Sequence, residues 1–211
     1  MKKYLQFFII ILFYRCSLDE SKSLRRSELY KEFDELVNRR KPYSELRADG
    51  IYFSKNVRYD IEGIFVINNT FKPLLFKKNG FVYIFNPSVN NDKSYYLNRI
   101  IHNEIRNYNW GAYEINDKII TAIIPQVFYK RGLVSKYILC KYEGILIGTD
   151  SITNWRIIPP FPTNFDKELN EGSMLEMYQK PRCYSFFKNE IPLSVDTSGA
   201  WFNKFINSKK P

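Results

Sequence analysis

The chain has 211 residues, 45% hydrophobic and 26% charged, with a formal net charge of +10. That length supports one domain with a hydrophobic core plus short flanking pieces, and the balance excludes a disordered or collagen-like chain. The basic residues are scattered. Their densest groups, Arg39-Arg40-Lys41 and Lys209-Lys210, are short, so the charge marks out no nucleic-acid-binding stripe.

Lys2 and Lys3 precede an apolar run from Tyr4 to Tyr14. About ten apolar residues suit the core of a signal peptide and fall short of the ~20 that span a membrane. From the residues alone, the run is either an export signal or a buried segment of the domain. Residues 1–16 resemble a bacterial lipoprotein signal peptide, in which the cysteine becomes the lipidated first mature residue. The resemblance implies lipidation at Cys16 and a membrane partner reached through an N-terminal lipid anchor, although Arg15 stands where that family prefers a small residue. Ser17-Leu18-Asp19-Glu20 is similar to the acidic stretch that sends some Bacteroidetes lipoproteins to the cell surface. The implied location is the cell envelope, at the outer membrane, on its periplasmic or surface face.

Residues 17–46 read as a tether followed by an amphipathic helix. Leu29, Phe33, Leu36 and Val37 fall on one face between Arg25 and Asn38, Ser23 is the expected N-cap, and Pro42 stops the helix. The face is expected to pack on the domain.

From residue 47 the period shortens. Aromatic residues make up 17% of the chain, and aromatic and β-branched enrichment favours strands. Gly50–Phe53, Phe71–Phe76 and Phe81–Phe85 are strand-like, and Asn79-Gly80 between the last two is a hairpin signal. Three segments, Gly63–Phe71, Gly111–Ile119 and Gly144–Ile152, share a pattern of glycine, apolar strand, Asn/Asp-type turn and apolar residue. They read as three hairpins of one antiparallel sheet, with turns at Asn68-Asn69, Asn116-Asp117 and Thr149-Asp150. A helix is expected over Lys93–Asn107, with Leu97, Ile100, Ile101 and Ile105 as its stripe. Strands are expected over Lys118–Phe128, Lys136–Leu146 and Ser151–Ile158. Pro125 suggests that the first of these is an edge strand or bulged.

Pro159-Pro160-Phe161-Pro162 breaks the pattern and sets 47–158 apart as the antiparallel β domain. Residues 159–211 then form a C-terminal extension packing on it, with a strand at Cys183–Phe187. A short helix over Ser198–Asn207 carries Trp201, Phe202, Phe205 and Ile206, placed to close a barrel end or pack on a sheet.

The motifs for catalysis are missing. The one histidine, His102, lies beside the stripe of the Lys93–Asn107 helix. No nucleophile elbow, zinc-spaced pair or phosphate loop occurs. Among Asp49, Asp60, Glu62, Glu114, Asp117, Glu143 and Asp150 no pair stands out, so no catalytic residue, metal ligand or cofactor is assigned. With Cys16 set aside, Cys140 and Cys183 are even in number: either a disulfide of an oxidising compartment or two buried free thiols.

The segments Trp110–Ile119 and Gly144–Ile152 are similar to those of the uncharacterised lipocalin-like (calycin-type) lipoproteins of Bacteroidetes, over about residues 47–158. The resemblance implies a mainly β fold: an antiparallel barrel or strongly curved sheet with an N-terminal helix, one inserted helix and a short C-terminal helix. A barrel of this size can hold one small apolar ligand. The lining would come from inward-facing members of Tyr52, Phe65, Phe76, Tyr83, Phe85, Tyr113, Tyr137 and Trp155, which can equally be plain core. The expected role is a non-catalytic, envelope-anchored binding or structural lipoprotein with no nucleic-acid partner. The alternative is an interaction protein that binds an envelope protein or an anionic surface polymer through its basic face.

Overall fold

The computed structural model describes residues 24–25, 27–48, 50–54, 60–61, 64–65, 72–85, 96, 98, 107–130, 134–161, 181–188, 197 and 200–202. The helix α1 spans Tyr30–Arg39. The strands are β1 (Gly50–Ser54), β2 (Asp60–Ile61), β3 (Ile64–Phe65), β4 (Leu74–Phe76), β5 (Phe81–Ile84), β6 (Trp110–Asn116), β7 (Ile119–Lys130), β8 (Val134–Ile147), β9 (Ser151–Ile158) and β10 (Arg182–Lys188). Eight of them close into an antiparallel barrel in the order β1-β10-β9-β8-β7-β6-β5-β4, and β2 and β3 pair separately. The rung Tyr52↔Leu74 between β1 and β4 completes the circuit.

Strand alternation sorts the side chains into two layers. Tyr52, Leu74, Phe76, Val82, Ile84, Tyr113, Ile115, Ile120, Ala122, Ile124, Ile138, Cys140, Tyr142, Ile152, Trp155, Ile157 and Tyr184 come from all eight strands and share one buried cluster, which is the barrel interior. Their neighbours Ile51, Leu75, Phe81, Tyr83, Trp110, Ala112, Ile123, Tyr137 and Leu139 face outward. They form a second cluster with the apolar face of α1 and with Ala200, Trp201 and Phe202. The barrel is therefore a core on its inside and, over one flank, on its outside too.

The helix forms where its apolar stripe predicts, and Leu29, Phe33, Leu36 and Val37 are 1–3% exposed. Leu24 and Arg25 are helical as expected, the chain then turns at Ser27, whose carbonyl accepts from Tyr30 N, and α1 runs on from Tyr30. The preceding residue, Leu29, supplies no side-chain cap, and Ser23 lies outside the described residues. Phe33 stacks on Trp201 at 5.1 Å and meets Phe202 edge-on at 5.4 Å. Trp201 Nε1 donates to Trp110 O at 3.0 Å. The C-terminal segment thus clamps the helix to the wall. Residues 200–202 form a turn, and the rest of the expected terminal helix lies outside the described residues.

Two hairpins of the repeated pattern are present. β6 and β7 are joined by Asp117-Lys118, both at positive φ (49° and 71°). That is the two-residue geometry whose twist matches paired strands. The turn sits one residue later than Asn116-Asp117, because Asn116 is still paired, to Ile119. β8 and β9 are joined by Gly148-Thr149-Asp150, and β4 and β5 turn at Asn79-Gly80, with Gly80 at φ 84°. For the first copy the expectation of a shared sheet fails: Ile64–Phe65 pairs backward with Asp60–Ile61, outside the barrel. Its turn at Asn68-Asn69 lies outside the described residues.

Two further expectations are corrected. β7 is not an edge strand, since it lies between β6 and β8. Pro125 is accommodated because the β6 ladder ends at Ala112↔Ile123, while Pro125 faces only Leu139 of β8. The barrel also runs past residue 158, because β10 sits between β9 and β1 and the circuit needs it. Of the expected Lys93–Asn107 helix, Tyr96 and Asn98 are described and helical, while Asn107 opens a 3₁₀ turn, Asn107–Asn109, ahead of β6. Tyr96 is fully buried, against Phe85 and Phe53. Its stripe and His102 lie outside the described residues.

Candidate functional site

The two ends of the barrel differ. At one end sit the tight turns at Asn79-Gly80, Asp117-Lys118 and Gly148–Asp150, where the strands return within a few residues. The segment after α1 folds over this end. Tyr43 N donates to Lys78 O at 2.8 Å, and Tyr43 and Leu46 enter the interior cluster. Tyr52 Oη donates to Thr149 O at 2.8 Å, and the Arg47 guanidinium lies 4.2 Å from the centre of the Phe186 ring. This end is stoppered. At the other end lie the strand ends Ser54, Leu74, Ile84, Trp110, Lys130, Val134, Ile158 and Arg182, between which the chain runs its longer connections and the link 131–133. Loops held by a rigid scaffold are where binding residues concentrate.

A cavity of about 20 Å³ opens at that second end, lined by Lys72, Ile84, Gln126, Tyr142, Trp155, Arg156, Arg182 and Tyr184. It has room for one water-sized group. Among the described lining residues three are cationic and none is a carboxylate. Lys72 Nζ donates to Gln126 Oε1 at 2.8 Å. That bond fixes which way the amide faces, because only its oxygen can accept from an ammonium. Gln126 is 1% exposed, and its Nε2 has no hydrogen-bond partner. Leaving a buried donor unmet costs about 1–3 kcal/mol. Tyr184 Oη donates to Lys72 O at 3.3 Å, tying β10 to the segment that leads into β4.

The electrostatics follow from enclosure. Burial of its ammonium end lowers Lys72 from 10.5 to about 8, opposed only in part by the Cys140 thiol. Burial likewise pushes Cys140 up to about 12 and Tyr184 up to about 12. The thiol and the phenol are therefore neutral at neutral pH, and Lys72 carries the charge.

The expected lining aromatics divide between the layers. Tyr52, Phe76, Tyr113 and Trp155 are interior, and they pack on one another. Phe76 meets Tyr113, Tyr52 and Trp155 edge-on at 5.0, 5.4 and 6.2 Å. Tyr142 stacks on Trp155 at 5.4 Å. Tyr83, Phe85 and Tyr137 do not face inward; they belong to the outer cluster, because they fall on the opposite phase of strand alternation from Val82, Ile84 and Ile138. The side chain of Phe65, and Cys16, lie outside the described residues. Of the described aromatics in the set, Trp155 alone lines the cavity.

Cys140 and Cys183 are both free. Cys140 points into the interior from β8, whereas Cys183 is exposed on β10, and β9 runs between those strands. A disulfide would have to cross both the wall and a strand. Among the described residues no three His, Cys, Asp or Glu side chains gather as a metal site, and no helix is long and apolar enough to cross a membrane.

Lys72 and Gln126 belong to no catalytic or metal-binding motif, being neither histidines, thiols nor carboxylates. A signal was present. In Ile120-x-Ala122-x-Ile124-x-Gln126 the inward phase of β7 runs apolar and then places an amide at a core position. Comparisons with protein-family models, with curated proteins and with solved structures find no match.

Proposed function

We propose that this chain is an exported lipoprotein of the bacterial envelope, anchored through Cys16, whose lipocalin-like barrel binds a small ligand and performs no catalysis. The observation that carries the binding half is the cationic pocket built around Lys72 and Gln126 at the end of the barrel opposite the tight turns. Its polarity favours a small polar ligand there over an apolar one among the interior aromatics, whose rings already pack against each other. Ligand sites for drug-sized molecules enclose about 300–1,000 Å³, so a cavity of about 20 Å³ suits one end group of a ligand rather than the whole.

The anchoring half rests on the apolar run ending at Cys16. Intact-mass measurement of the protein from a membrane fraction tests it. The expected species begins at Cys16 and carries acyl chains. An uncleaved chain recovered from the cytosol overturns the address and the anchor together.

A further inference from the structure

We propose that the pocket at the end of the barrel opposite the tight turns is a receptor for the carboxylate of a small organic acid, held between Lys72 Nζ and Gln126 Nε2 with Arg182 at its side. The inference rests on the reading of that end as the binding end and names the chemistry it selects.

Four observations lead to it. First, Gln126 is buried and its Nε2 donor is unmet, although its carbonyl is well used. Native interiors rarely leave such a group without a purpose or an unseen partner. Second, Lys72 points its ammonium at a neutral amide, and among the described residues no Asp or Glu lines the cavity. An enclosed ammonium without a counter-charge is costly, and an anion from outside offsets that cost. Third, Arg182 places a second positive charge on the lining, which favours an anion there. Fourth, the space is about 20 Å³, which limits the occupant to a small head group.

A carboxylate is acceptor-only and presents two oxygens, so one oxygen can take the Lys72 donor and the other the Gln126 donor. The indole of Trp155 and the side chain of Ile84 form the apolar part of the lining, so the polar donors are confined to the Lys72 and Gln126 side. A single water would satisfy Nε2 equally well but would leave the charge uncompensated. The depressed basicity of Lys72 is what such an uncompensated charge looks like.

The test uses the whole mature protein and titrates acetate, propionate, chloride and phosphate at constant ionic strength. Binding is read by tryptophan fluorescence and by the melting temperature. Acetate or propionate is expected to saturate the signal and raise the melting temperature of the unmodified protein. Phosphate, the bulkiest of the four, is expected to do neither at the same concentration, and chloride, which lacks two oxygens to take the Lys72 and Gln126 donors separately, is expected to bind at least tenfold more weakly than acetate. Lys72→Met and Gln126→Leu should each weaken acetate binding at least tenfold, whereas Lys31→Met, which removes an exposed charge from α1, should not change it. The melting shift of the unmodified protein stands even where a variant fails to fold. Saturation by chloride or phosphate but not by carboxylates overturns the ligand class and leaves the pocket as a binding site. No response to any of the four anions overturns the class and the pocket reading alike.

Discussion

Lys72 is the residue whose environment has the most measurable consequence. In the unfolded chain its ammonium titrates at its ordinary 10.5, and in the fold at about 8. Between those values the unfolded chain holds a proton that the fold has released, so stability rises with pH across that window. Below about 8 both states hold the proton and the burial penalty is fully present. Cys140 and Tyr184 act in the opposite sense. Burial raises the thiol from 9.0 to about 12 and the phenol from 10.0 to about 12, so above pH 9 to 10 the unfolded chain loses protons that the fold keeps, and stability falls. Tyr113 is pushed up in the same direction by burial. The groups that share the pocket with Lys72 are Gln126, Arg156, Arg182, Tyr142 and Tyr184, with Cys140 coupled to it from β8. Denaturant unfolding from pH 7.5 to 9 should show a gain of roughly 1 kcal/mol per pH unit at most. Lys72→Met should abolish most of that gain. Lys77, also lowered by burial, contributes in the same sense, so the difference between protein and variant isolates Lys72. An unchanged slope in the variant would assign the gain elsewhere.

At the scale of elements, the β8–β9 hairpin shows two glycines of one motif doing different work. A Cβ on Gly144 would lie 2.8 Å from Ile152 Cγ2 and 2.8 Å from Trp155 Cε3. Here the ladder also shifts register between Glu143 and Ile145. Gly144 is therefore required by close packing at a bulge. Gly148 has nothing within 4 Å of that position but sits at φ 61°, so it is required by backbone conformation alone. Gly144→Ala should cost about 1–3 kcal/mol, as overpacking does, and should change the near-UV signal of the Trp155 environment. Gly148→Ala should cost about 1–2 kcal/mol, the left-handed penalty, with that signal unchanged. Equal spectral effects from both would contradict this division. The hairpins were legible because glycine and Asn/Asp turns are local devices. The failure of the Gly63 copy to join the barrel was not, because pairing partners are chosen by neighbours distant in the chain.

At the scale of the molecule, the barrel is held from both sides. The interior cluster fixes the closed sheet, and the outer cluster fixes α1 and Trp201-Phe202 to the β5–β8 flank. The ion pairs across that joint, Glu32 with Lys141 and Arg39 with Glu114, are partly exposed and contribute at most about 1 kcal/mol each. The aromatic contacts of Phe33 dominate. Phe33→Ala should therefore destabilise the protein by about 3–5 kcal/mol, read as a melting temperature lower by roughly 10 °C. Arg39→Ala should move it little. A small loss at Phe33 would mean that the helix is an accessory to the barrel rather than part of its core.

The sequence by itself determined what period and turn chemistry can carry: a mainly β chain, the apolar face of α1, the β6–β7 and β8–β9 hairpins, and the absence of the common catalytic motifs. Only the tertiary structure decided which face of each strand became inside. That assignment moved Tyr83, Phe85 and Tyr137 from the expected lining to the outer layer, set Cys140 and Cys183 apart, and took β10 into the barrel. It also brought Lys72, fifty-four positions from Gln126 in the chain, into contact with it. Alternation says that successive side chains part company, but closure of the barrel is a long-range event, and it alone says which set is enclosed.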